Sequence, residues 1–370
     1  MTKDIEAPPG AAGWPGVPPQ RGGGTGSGGG PSLRRRPPRQ PASRRRRIAR
    51  TVTLLLRLPL LAAAGTYVWA DSALDRRVDL DKAAADRPPH GKGTNYLIVG
   101  SDSRNGLSGA TKKQLHTGSA DGGRTDSVMV LHTGAHGSTL MSLPRDSWVT
   151  IPSFIRPETG KHYRAARNKL NAAYSLGGPD LLIRTIERNT GLRINHYAEI
   201  GFAGFVGLVN AVGGVDMCVK KNVKDEKSGL NLKKGCHNLD GAQALAFVRQ
   251  RHQEAQGDLG RSKNQQKFLA ALAHKAATPG VALDPFTLYP TIRAGLDTLI
   301  VDKGMSMPDL LSLFEAMKGV TAGHGQRINV PVSSLGFRTS KGSAVRWNTA
   351  RANKLFGELR HDRPLSRDLR

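Results

Sequence analysis

A run of twenty mostly apolar residues near the amino terminus places the strongest constraint on this chain. Residues 51–70 read TVTLLLRLPLLAAAGTYVWA. An α-helix of that length spans about 30 Å, which is the thickness of the hydrocarbon core of a bilayer. Tyr67 and Trp69 lie at the far end of the run, where aromatic rings favour the membrane interface. The run therefore predicts a transmembrane helix over residues 51–70.

The charges on either side of the run predict its orientation. Residues 44–47 are four arginines and Arg50 follows them, whereas Asp71 comes directly after the run. Because basic residues stay on the cytoplasmic side, we expect a single-pass protein of the cell membrane with a cytoplasmic amino terminus and an extracellular body over 71–370. Two alternatives are a cleaved signal peptide, since the Ala-rich end of the run resembles a cleavage region, and a buried core helix.

The charge of the chain is strongly positive and unevenly spread. Lys and Arg number 55 against 29 Asp and Glu, which gives a net charge of +26 over 370 residues. Such a balance favours an anionic partner, namely phospholipid, a phosphorylated ligand or nucleic acid. Residues 1–50 are rich in Gly, Pro and Arg, a composition too poor in apolar residues to fold. We expect a disordered cytoplasmic tail there that contacts anionic lipid, and no nucleic-acid partner.

The two cysteines exclude a Cys-rich zinc module and a disulfide-dense scaffold. Cys218 and Cys236 flank a polar segment with a turn signal at Ser228 and Gly229. In an extracellular compartment such a pair can form a disulfide that closes this loop. Two unpaired thiols are the alternative.

Beyond residue 94, short apolar runs alternate with helical patterns. Strands are predicted over 96–99, 127–132, 139–143, 148–151, 197–200, 215–219 and 327–332, and helices over 169–177, 180–191, 202–212, 241–248 and 259–277. This interleaving indicates an α/β domain with a mixed central sheet flanked by helices. We expect a juxtamembrane linker over 71–94, a catalytic domain over 95–277 containing a long loop over 105–123, a helical extension packed on that domain over 278–360, and a tail over 361–370.

Polar residues recur at the ends of the apolar segments, whereas familiar catalytic motifs (G-x-S-x-G, P-loop, H-E-x-x-H) do not occur. The recurring residues are Asp102, Arg104, Arg124, Asp126, Arg145, Asp146, Arg249, Arg251, Arg261 and Gln265. Arginine binds phosphate oxygens with two parallel hydrogen bonds, and Mg²⁺ takes one or two carboxylates together with substrate oxygens. The set therefore predicts binding and cleavage of a phosphate or pyrophosphate ester; ordinary salt bridges are the alternative.

Ordered sequence blocks over residues 95–277 resemble the LytR-CpsA-Psr family of bacterial cell-envelope proteins. The blocks are NYLIVGSDSR, GRTDSVMVL, STLMSLPRDSWVTIP, KLNAAYSLGGPDLL, FVGLVNAVGGVDMCV, LDGAQALAFVRQR and GDLGRSKNQQKFL. The resemblance implies a phosphotransferase that moves a polyprenyl-pyrophosphate-linked glycopolymer onto peptidoglycan. The acceptor implied is the 6-hydroxyl of N-acetylmuramic acid, which ends in a phosphodiester bond.

The resemblance also implies roles for individual residues. Asp102 and Asp126 would bind Mg²⁺, with Mn²⁺ as an alternative. The donor pyrophosphate would contact Arg124, Arg145, Arg249, Arg251, Arg261 and Gln265, while Asp146 would orient an arginine or assist at the metal. Further substrate contacts are expected from Arg104, Lys169, Asn171, Phe202 and Phe205; for the two phenylalanines, which would line a lipid pocket, plain core packing is the alternative.

Other functions also fit these residues. One is a hydrolase that cleaves the lipid pyrophosphate with water as acceptor. Another is a non-catalytic membrane sensor or scaffold that binds polyprenyl phosphate. The segment between Asp102 and Asp126 is longer and richer in glycine than the family pattern, and it is expected to cover the site, contact the acceptor or be inert.

Overall fold

The structure is a computed structural model that describes residues 44–81, 87–103, 108–115, 117, 123, 125–250, 258–276, 278, 280 and 284–369. The chain divides into two units, residues 1–58 and 59–370. In the first unit the described residues, 44–58, are helical. The expected disordered tail lies outside the described residues except for 44–50, which begin the first helix.

That first helix is the candidate membrane span within the described part of the chain. Helix α1 (Arg44–Ser72) contains an apolar stretch, Arg46–Ser72, that is long enough to cross a bilayer. Leu54, Leu58 and Leu61 are all more than half exposed. A buried core helix would have its apolar side chains covered by the rest of the protein. These side chains are exposed, so the alternative of a buried core helix is wrong.

Further helices follow in chain order, most of them packed around a sheet. They are α2 (Gly109–Gln114), α3 (Leu170–Thr190), α4 (Phe202–Ala211), α5 (Gly241–Arg249), α6 (Asp258–Ala276), α7 (Pro285–Leu296), α8 (Met307–Thr321) and α9 (Thr349–Arg360). The two helices predicted over 169–177 and 180–191 form α3, which is kinked at Gly177 and Gly178 just before Pro179.

The strands form one large sheet and several two-stranded ones. In chain order they are β1 (Asp75–Val78), β2 (Thr94–Ser101), β3 (Thr125–Gly134), β4 (Gly137–Ser142), β5 (Trp148–Ile151), β6 (Phe154–Ile155), β7 (His162–Tyr163), β8 (Ala166–Lys169), β9 (His196–Ile200), β10 (Val215–Val219), β11 (Val223–Asp225), β12 (Leu230–Leu232), β13 (Gly235–Leu239), β14 (Leu299–Asp302), β15 (Gly325–Asn329), β16 (Val332–Thr339) and β17 (Gly342–Trp347).

The large sheet has seven strands in the order β1-β14-β9-β2-β3-β4-β15. Strands β2, β3 and β4 form an antiparallel meander, whereas β9 lies parallel to β2 and β15 lies parallel to β4. The predicted mixed sheet flanked by helices is confirmed.

Alternate side chains of the central strands enter different hydrophobic cores on the two faces of this sheet. Val128 and Val130 of β3 belong to the core formed with α3 and α9. Met129 and Leu131 belong to the core formed with α8. A strand buried on both faces needs a continuous apolar run, and VMVL in β3 is such a run.

A third core joins α4, α5 and α6 to the small hairpin β10–β13. The rings of Phe205 and Phe268 lie 5.3 Å apart at its centre. Cys218 and Cys236 occupy opposite positions of the hairpin and are disulfide-bonded, so the alternative of two unpaired thiols is wrong.

Two of the expected segment boundaries differ from the structure. The reason is that the large sheet includes strands whose own sequences do not predict a strand. The expected linker, 71–94, contains β1, which pairs with β14. Its sequence, DRRV, is charged, as is common for edge strands that avoid pairing with other chains. The expected helical extension, 278–360, supplies β14 and β15 to the central sheet and also the hairpin β16–β17. The sequence predicts only β15, since β14 is four residues long and its partners are distant in the chain.

Two expected irregular segments also contain order. The long loop, 105–123, includes α2, which Ser108 caps by accepting a hydrogen bond from the backbone N–H of Thr111. In the expected tail, 361–370, Leu365 and Leu369 are buried in the core beside α9. Apolar burial therefore extends past residue 360.

Candidate active site

Two carboxylates meet where β2 ends and β3 begins. The two strands are antiparallel, and a bulge after Gly100 pairs Ser101 with Thr125. Asp102 follows β2 directly, and Asp126 is the second residue of β3. A Cβ on Gly100 would clash with Oγ of Ser127, so a larger residue at this position would force the serine side chain to move. The register thus brings both predicted metal ligands to the same end of one strand pair.

Arg145 connects this strand end to the neighbouring loop. Its Nη1 donates a hydrogen bond to Oδ1 of Asp126 at 2.9 Å. Its Nε lies 3.5 Å from Oδ2 of Asp146, whose Oδ1 lies 3.2 Å from Nζ of Lys169. The side chains of Arg145 and Asp126 are 17 % and 24 % exposed. Four of the predicted residues therefore form one chain of alternating charges that solvent can reach.

Asn171 reaches this cluster through its backbone. Its N–H donates to the carbonyl oxygen of Arg145 at 2.9 Å. Because Lys169 precedes the first residue of α3 and Asn171 is the second, the start of this helix fixes the loop that carries Arg145 and Asp146. Asn171 therefore lies next to the site, and the contact that places it there is made by its backbone and not by its side chain.

An apolar cleft opens beside the two strands and encloses about 560 Å³ of empty space, part of it open to solvent. Its polar lining includes Asp126, Arg249 and Gln265. Its apolar lining comes from β2, β9, α4, α5 and α6, and includes Ile98, Ile200, Phe202, Phe205, Leu245 and Leu269. The cleft therefore combines a long apolar wall with charged groups, as a ligand with an apolar and an anionic part requires.

Arg249 and Gln265 close the polar side of the cleft. Arg249 ends α5, donates from Nη1 to the carbonyl oxygen of Leu115 at 2.9 Å, and has its guanidinium carbon 5.0 Å from the ring centre of Phe202. Gln265 donates from Nε2 to the carbonyl oxygen of Val248 at 3.2 Å. Arg249 is the last helical residue, because the helix that is predicted over 241–248 and capped by Asp240 continues through it.

Several predicted residues lie outside the part of the chain that the structure describes. Arg104, Arg124 and Arg251 are among them, and so is the side chain of Arg261, although its backbone belongs to α6. Their roles stay predictions. Of the predicted set, the structure brings together Asp126, Arg145, Asp146, Lys169, Phe202, Phe205, Arg249 and Gln265 around one cleft and its rim.

A buried carboxylate next to the site is absent from the predicted set. Glu199 of β9 is almost fully buried, and its two oxygens accept hydrogen bonds from the hydroxyls of Tyr174 (2.5 Å) and Tyr197 (2.6 Å). Burial, and then the charge of Glu199, raise the pKa of Tyr174 well above its usual value. The Tyr174 hydroxyl therefore remains protonated and keeps donating.

The ring of Tyr174 also contacts Gly123, which precedes Asp126 by three residues. A Cβ on Gly123 would lie 3.1 Å from Cε1 of Tyr174, so the tyrosine ring packs directly beneath that backbone. The available sequence signal was a glutamate inside the apolar strand HYAEI, since a buried acid requires hydrogen-bond partners.

The fold and the site define an α/β protein with an apolar cleft that ends among carboxylates and arginines. Residues 68–360 match the model of the LytR_cpsA_psr family, and the chain belongs to this family. The resemblance noted in the sequence blocks is thereby confirmed.

Similar proteins agree with this assignment. The chain is 40 % identical over 312 residues to "Probable cell wall biosynthesis protein LcpB" of Corynebacterium glutamicum. The aligned region covers 84 % of this chain and 70 % of LcpB. The chain is 36 % identical over 160 residues to "Polyisoprenyl-teichoic acid--peptidoglycan teichoic acid transferase TagU" of Bacillus anthracis. The aligned region covers 43 % of this chain and 49 % of TagU. The chain thus matches about half the length of TagU.

A solved structure shares the fold. The LytR-Csp2A-Psr enzyme from Actinomyces oris superposes with a TM-score of 0.56 at 23 % identity, over 78 % of this chain and 96 % of that one. The seven-stranded sheet and its flanking helices are therefore the fold of this family.

Proposed function

We propose that this protein is a phosphotransferase that attaches a polyprenyl-pyrophosphate-linked glycopolymer to the 6-hydroxyl of N-acetylmuramic acid in peptidoglycan. The observation that carries the proposal is the apolar cleft that ends at Asp126 and Arg249, with Arg145 bonded to Asp126. An amphiphile with a pyrophosphate head matches that arrangement. The name of TagU describes a transferase with a polyisoprenyl-linked donor and a peptidoglycan acceptor.

The donor is held by its two chemically different parts. Phe202, Phe205 and Leu269 offer an apolar wall to the polyprenyl chain. Arg145 and Arg249 stay charged at every physiological pH and can each bind two phosphate oxygens. Arg249 is already oriented by its contacts with Leu115 and Phe202, so little side-chain freedom is lost when the donor binds.

Asp102 and Asp126 fit a hard divalent cation. Both carboxylates belong to the same end of the β2–β3 pair and are partly exposed, and Mg²⁺ usually takes one or two carboxylates with substrate oxygens. When bound there, Mg²⁺ would neutralise negative charge on the donor phosphates; Mn²⁺ prefers similar ligands and is the alternative.

The reaction replaces the anhydride bond of the donor pyrophosphate with an ester bond. The acceptor hydroxyl loses its proton to solvent and its oxygen forms a bond to the phosphorus that carries the glycopolymer, while the bond from that phosphorus to the bridging oxygen breaks and polyprenyl phosphate leaves with the electron pair of that bond. Negative charge grows on the phosphate oxygens and the bridging oxygen. Arg145 and Arg249 stabilise this charge, while Asp146 and Lys169 keep the Arg145 side chain in place.

The cellular location follows from the same proposal. Helix α1 would anchor the chain with its amino terminus in the cytoplasm, and the domain from β1 onward would work outside the cell. The disulfide between Cys218 and Cys236 suits an oxidising compartment. The donor lipid and the peptidoglycan acceptor are both present on that side of the membrane.

The test uses the full chain in lipid vesicles with a short polyprenyl-pyrophosphate glycan donor. Release of polyprenyl phosphate is measured with Mg²⁺, with EDTA, and in the variants Arg145→Ala and Asp126→Asn. Arg156→Ala is the matched control, because Arg156 also pairs with a carboxylate (Glu158, 2.7 Å) but lies between β6 and β7. We expect metal-dependent release that both site variants lose and the control keeps.

Two other outcomes would replace the proposal. Release that continues unchanged when peptidoglycan is added, with no polymer transferred, would indicate a hydrolase. Donor binding without any release, in a folded protein supplied with metal, would indicate a sensor or scaffold.

A further inference from the structure

Three of the exposed large apolar side chains of the folded domain lie on helices α7 and α8, which follow each other in the chain. Tyr289 of α7 is 48 % exposed, and Leu311 and Phe314 of α8 are 55 % and 43 % exposed. Leaving large apolar side chains in water is unfavourable when they lie together. These three residues, called the α7–α8 surface below, therefore require an explanation.

The end of α1 is packed rigidly against the helices that carry this surface. Ala70 and Leu74 are buried in the same core as Leu310 and Leu313 of α8. The backbone N–H of Met307, the first residue of α8, donates to Oδ1 of Asp71 at 3.2 Å. The last turn of α1 is thus part of the folded domain, and α8 starts beside it.

An aromatic stack marks the same level of the molecule. The rings of Trp69 and Tyr289 lie 4.9 Å apart and nearly parallel. Trp and Tyr prefer the boundary between lipid headgroups and acyl chains. Trp69 lies next to the end of the apolar run. Tyr289, which stacks on Trp69, therefore lies at the same depth, at the boundary of the membrane.

A basic residue lies one helical turn from each of two exposed apolar residues. Arg293 follows Tyr289 by one turn and pairs with Asp297 at 3.6 Å, and Lys318 follows Phe314 by one turn on a helix that also carries Asp309 and Glu315. In helices that lie on membranes, apolar and aromatic side chains enter the interface while neighbouring basic groups contact anionic headgroups. Glu315 is next to Phe314 in sequence and so points about 100° away around the helix axis.

We propose that the α7–α8 surface rests in the outer boundary of the phospholipid bilayer, with Leu311 and Phe314 inserted between headgroups. The inference rests on the proposed membrane anchor. It adds a consequence for the cleft: Ile98 and Leu269 line the cleft and pack against the same core as Ala70 and Leu74. The cleft therefore shares part of its apolar wall with the core that holds the end of α1, near the membrane in which a lipid-linked donor resides.

The test measures membrane depth at single nitroxide labels on the full chain. The variants Leu311→Cys and Phe314→Cys are labelled in vesicles of phosphatidylcholine and phosphatidylglycerol, while the native cysteines stay blocked in their disulfide. Leu335→Cys is the matched control, because Leu335 is similarly exposed (45 %) but lies on β16. Leu60→Cys, within the apolar run, reports whether the anchor itself is inserted.

We expect the labels at 311 and 314 to lose accessibility to an aqueous nickel chelate and to gain accessibility to oxygen, relative to the label at 335. If all three report water while the label at 60 reports lipid, the surface proposal is overturned and the anchor stands. If the label at 60 also reports water, both the anchor and this proposal fail, whereas donor cleavage by the purified chain would still test the proposed enzyme.

Discussion

Two arginine–carboxylate pairs in the domain have almost the same length and very different surroundings. Arg87 and Glu187 are 2.8 Å apart and only 5 % and 2 % exposed. Arg145 and Asp126 are also 2.9 Å apart, but they are 17 % and 24 % exposed, and Asp126 lines the cleft. Distance alone therefore does not separate a structural pair from a functional one.

The hydrogen bonds around the two pairs explain the difference. In the buried pair, Nε and Nη2 of Arg87 both bond to Glu187, and further bonds go to the carbonyl oxygens of Leu80 and Ile194. Four of the five N–H groups of Arg87 therefore bond to partners inside the protein. In the open pair, Asp126 lines the cleft, where a ligand can add contacts, and Arg145 is hydrogen-bonded to it. The first pair stabilises the fold, and the second is the pair that the proposed function uses.

The largest effect is expected from breaking the buried pair. Arg87→Ala should lower the free energy of unfolding by about 3–5 kcal/mol, because it leaves a buried carboxylate without its counter-charge. Chemical denaturation followed by near-UV circular dichroism measures it. The control is Lys303→Ala, which breaks the exposed pair with Asp79 and should cost less than about 1 kcal/mol. Equal effects of the two variants would remove the distinction between buried and open pairs.

The open pair should show the opposite response. Arg145→Ala should lower kcat/KM for donor cleavage about 10²–10³-fold, since it removes a preorganised charge at the reacting phosphate. Its free energy of unfolding should change by less than about 1 kcal/mol. Steady-state release of polyprenyl phosphate provides the first value and denaturation the second. A variant that unfolds readily but cleaves normally would assign Arg145 to the scaffold.

The stability of the protein should also depend on the disulfide bond of the hairpin β10–β13. Replacing both cysteines, as Cys218→Ser with Cys236→Ser, should cost about 3 kcal/mol for a loop of this size. The melting temperature of the wild type should then fall when dithiothreitol is added, and that of the double variant should not change further. A wild type that is insensitive to the reductant would show that the hairpin register suffices without the bond.

The tyrosines bound to Glu199 form an intermediate case, buried like Arg87 and adjacent to the site like Arg145. Tyr174→Phe should cost about 1.5–3 kcal/mol of stability, the range for a hydrogen bond to a charged group. It should also lower donor cleavage, because the lost hydroxyl bond to Glu199 holds in place the ring that packs against Gly123, three residues before Asp126. Tyr197→Phe removes the other bond to Glu199 and should lower stability with a smaller effect on cleavage. Equal losses of cleavage in both would contradict a role specific to Tyr174.

The smallest effect is a pH dependence of the scaffold at His132. Burial lowers the pKa of His132 in the folded state, while the unfolded chain keeps a value of about 6.5. The unfolded state therefore binds more protons below that pH, and stability should decrease as the pH falls from about 6.5 toward the folded value. Denaturation between these limits should show the slope, and His132→Gln should flatten it. An unchanged slope in the variant would assign it to other groups.

The central sheet could be predicted from the sequence because its inner strands are apolar on both faces. Strands β2, β3, β4 and β9 carry that signal in their own residues, and the cluster of Asp126, Arg145 and Asp146 follows from their ends. Strands β1 and β14 could not be predicted in the same way. One is charged and the other is short, and both exist because of partners distant in the chain.

Some residues of the site could likewise be predicted from the nearby sequence, whereas others depend on contacts between segments that are distant in the chain. Gln265 was predicted from its spacing on α6, and its side chain does line the cleft. The bonds that join Tyr174 of α3 to Glu199 of β9 depend on how a helix packs on the sheet. No local pattern encodes that packing, so these residues required the structure.

One measurement tests the central claim most directly. The full chain in vesicles is incubated with donor and peptidoglycan, and the peptidoglycan is then digested and assayed for muramic acid 6-phosphate. The account predicts this product with wild type and with Lys303→Ala, and its loss with Arg145→Ala. Polyprenyl phosphate released without any muramic acid 6-phosphate, or equal product from wild type and Arg145→Ala, would contradict the account.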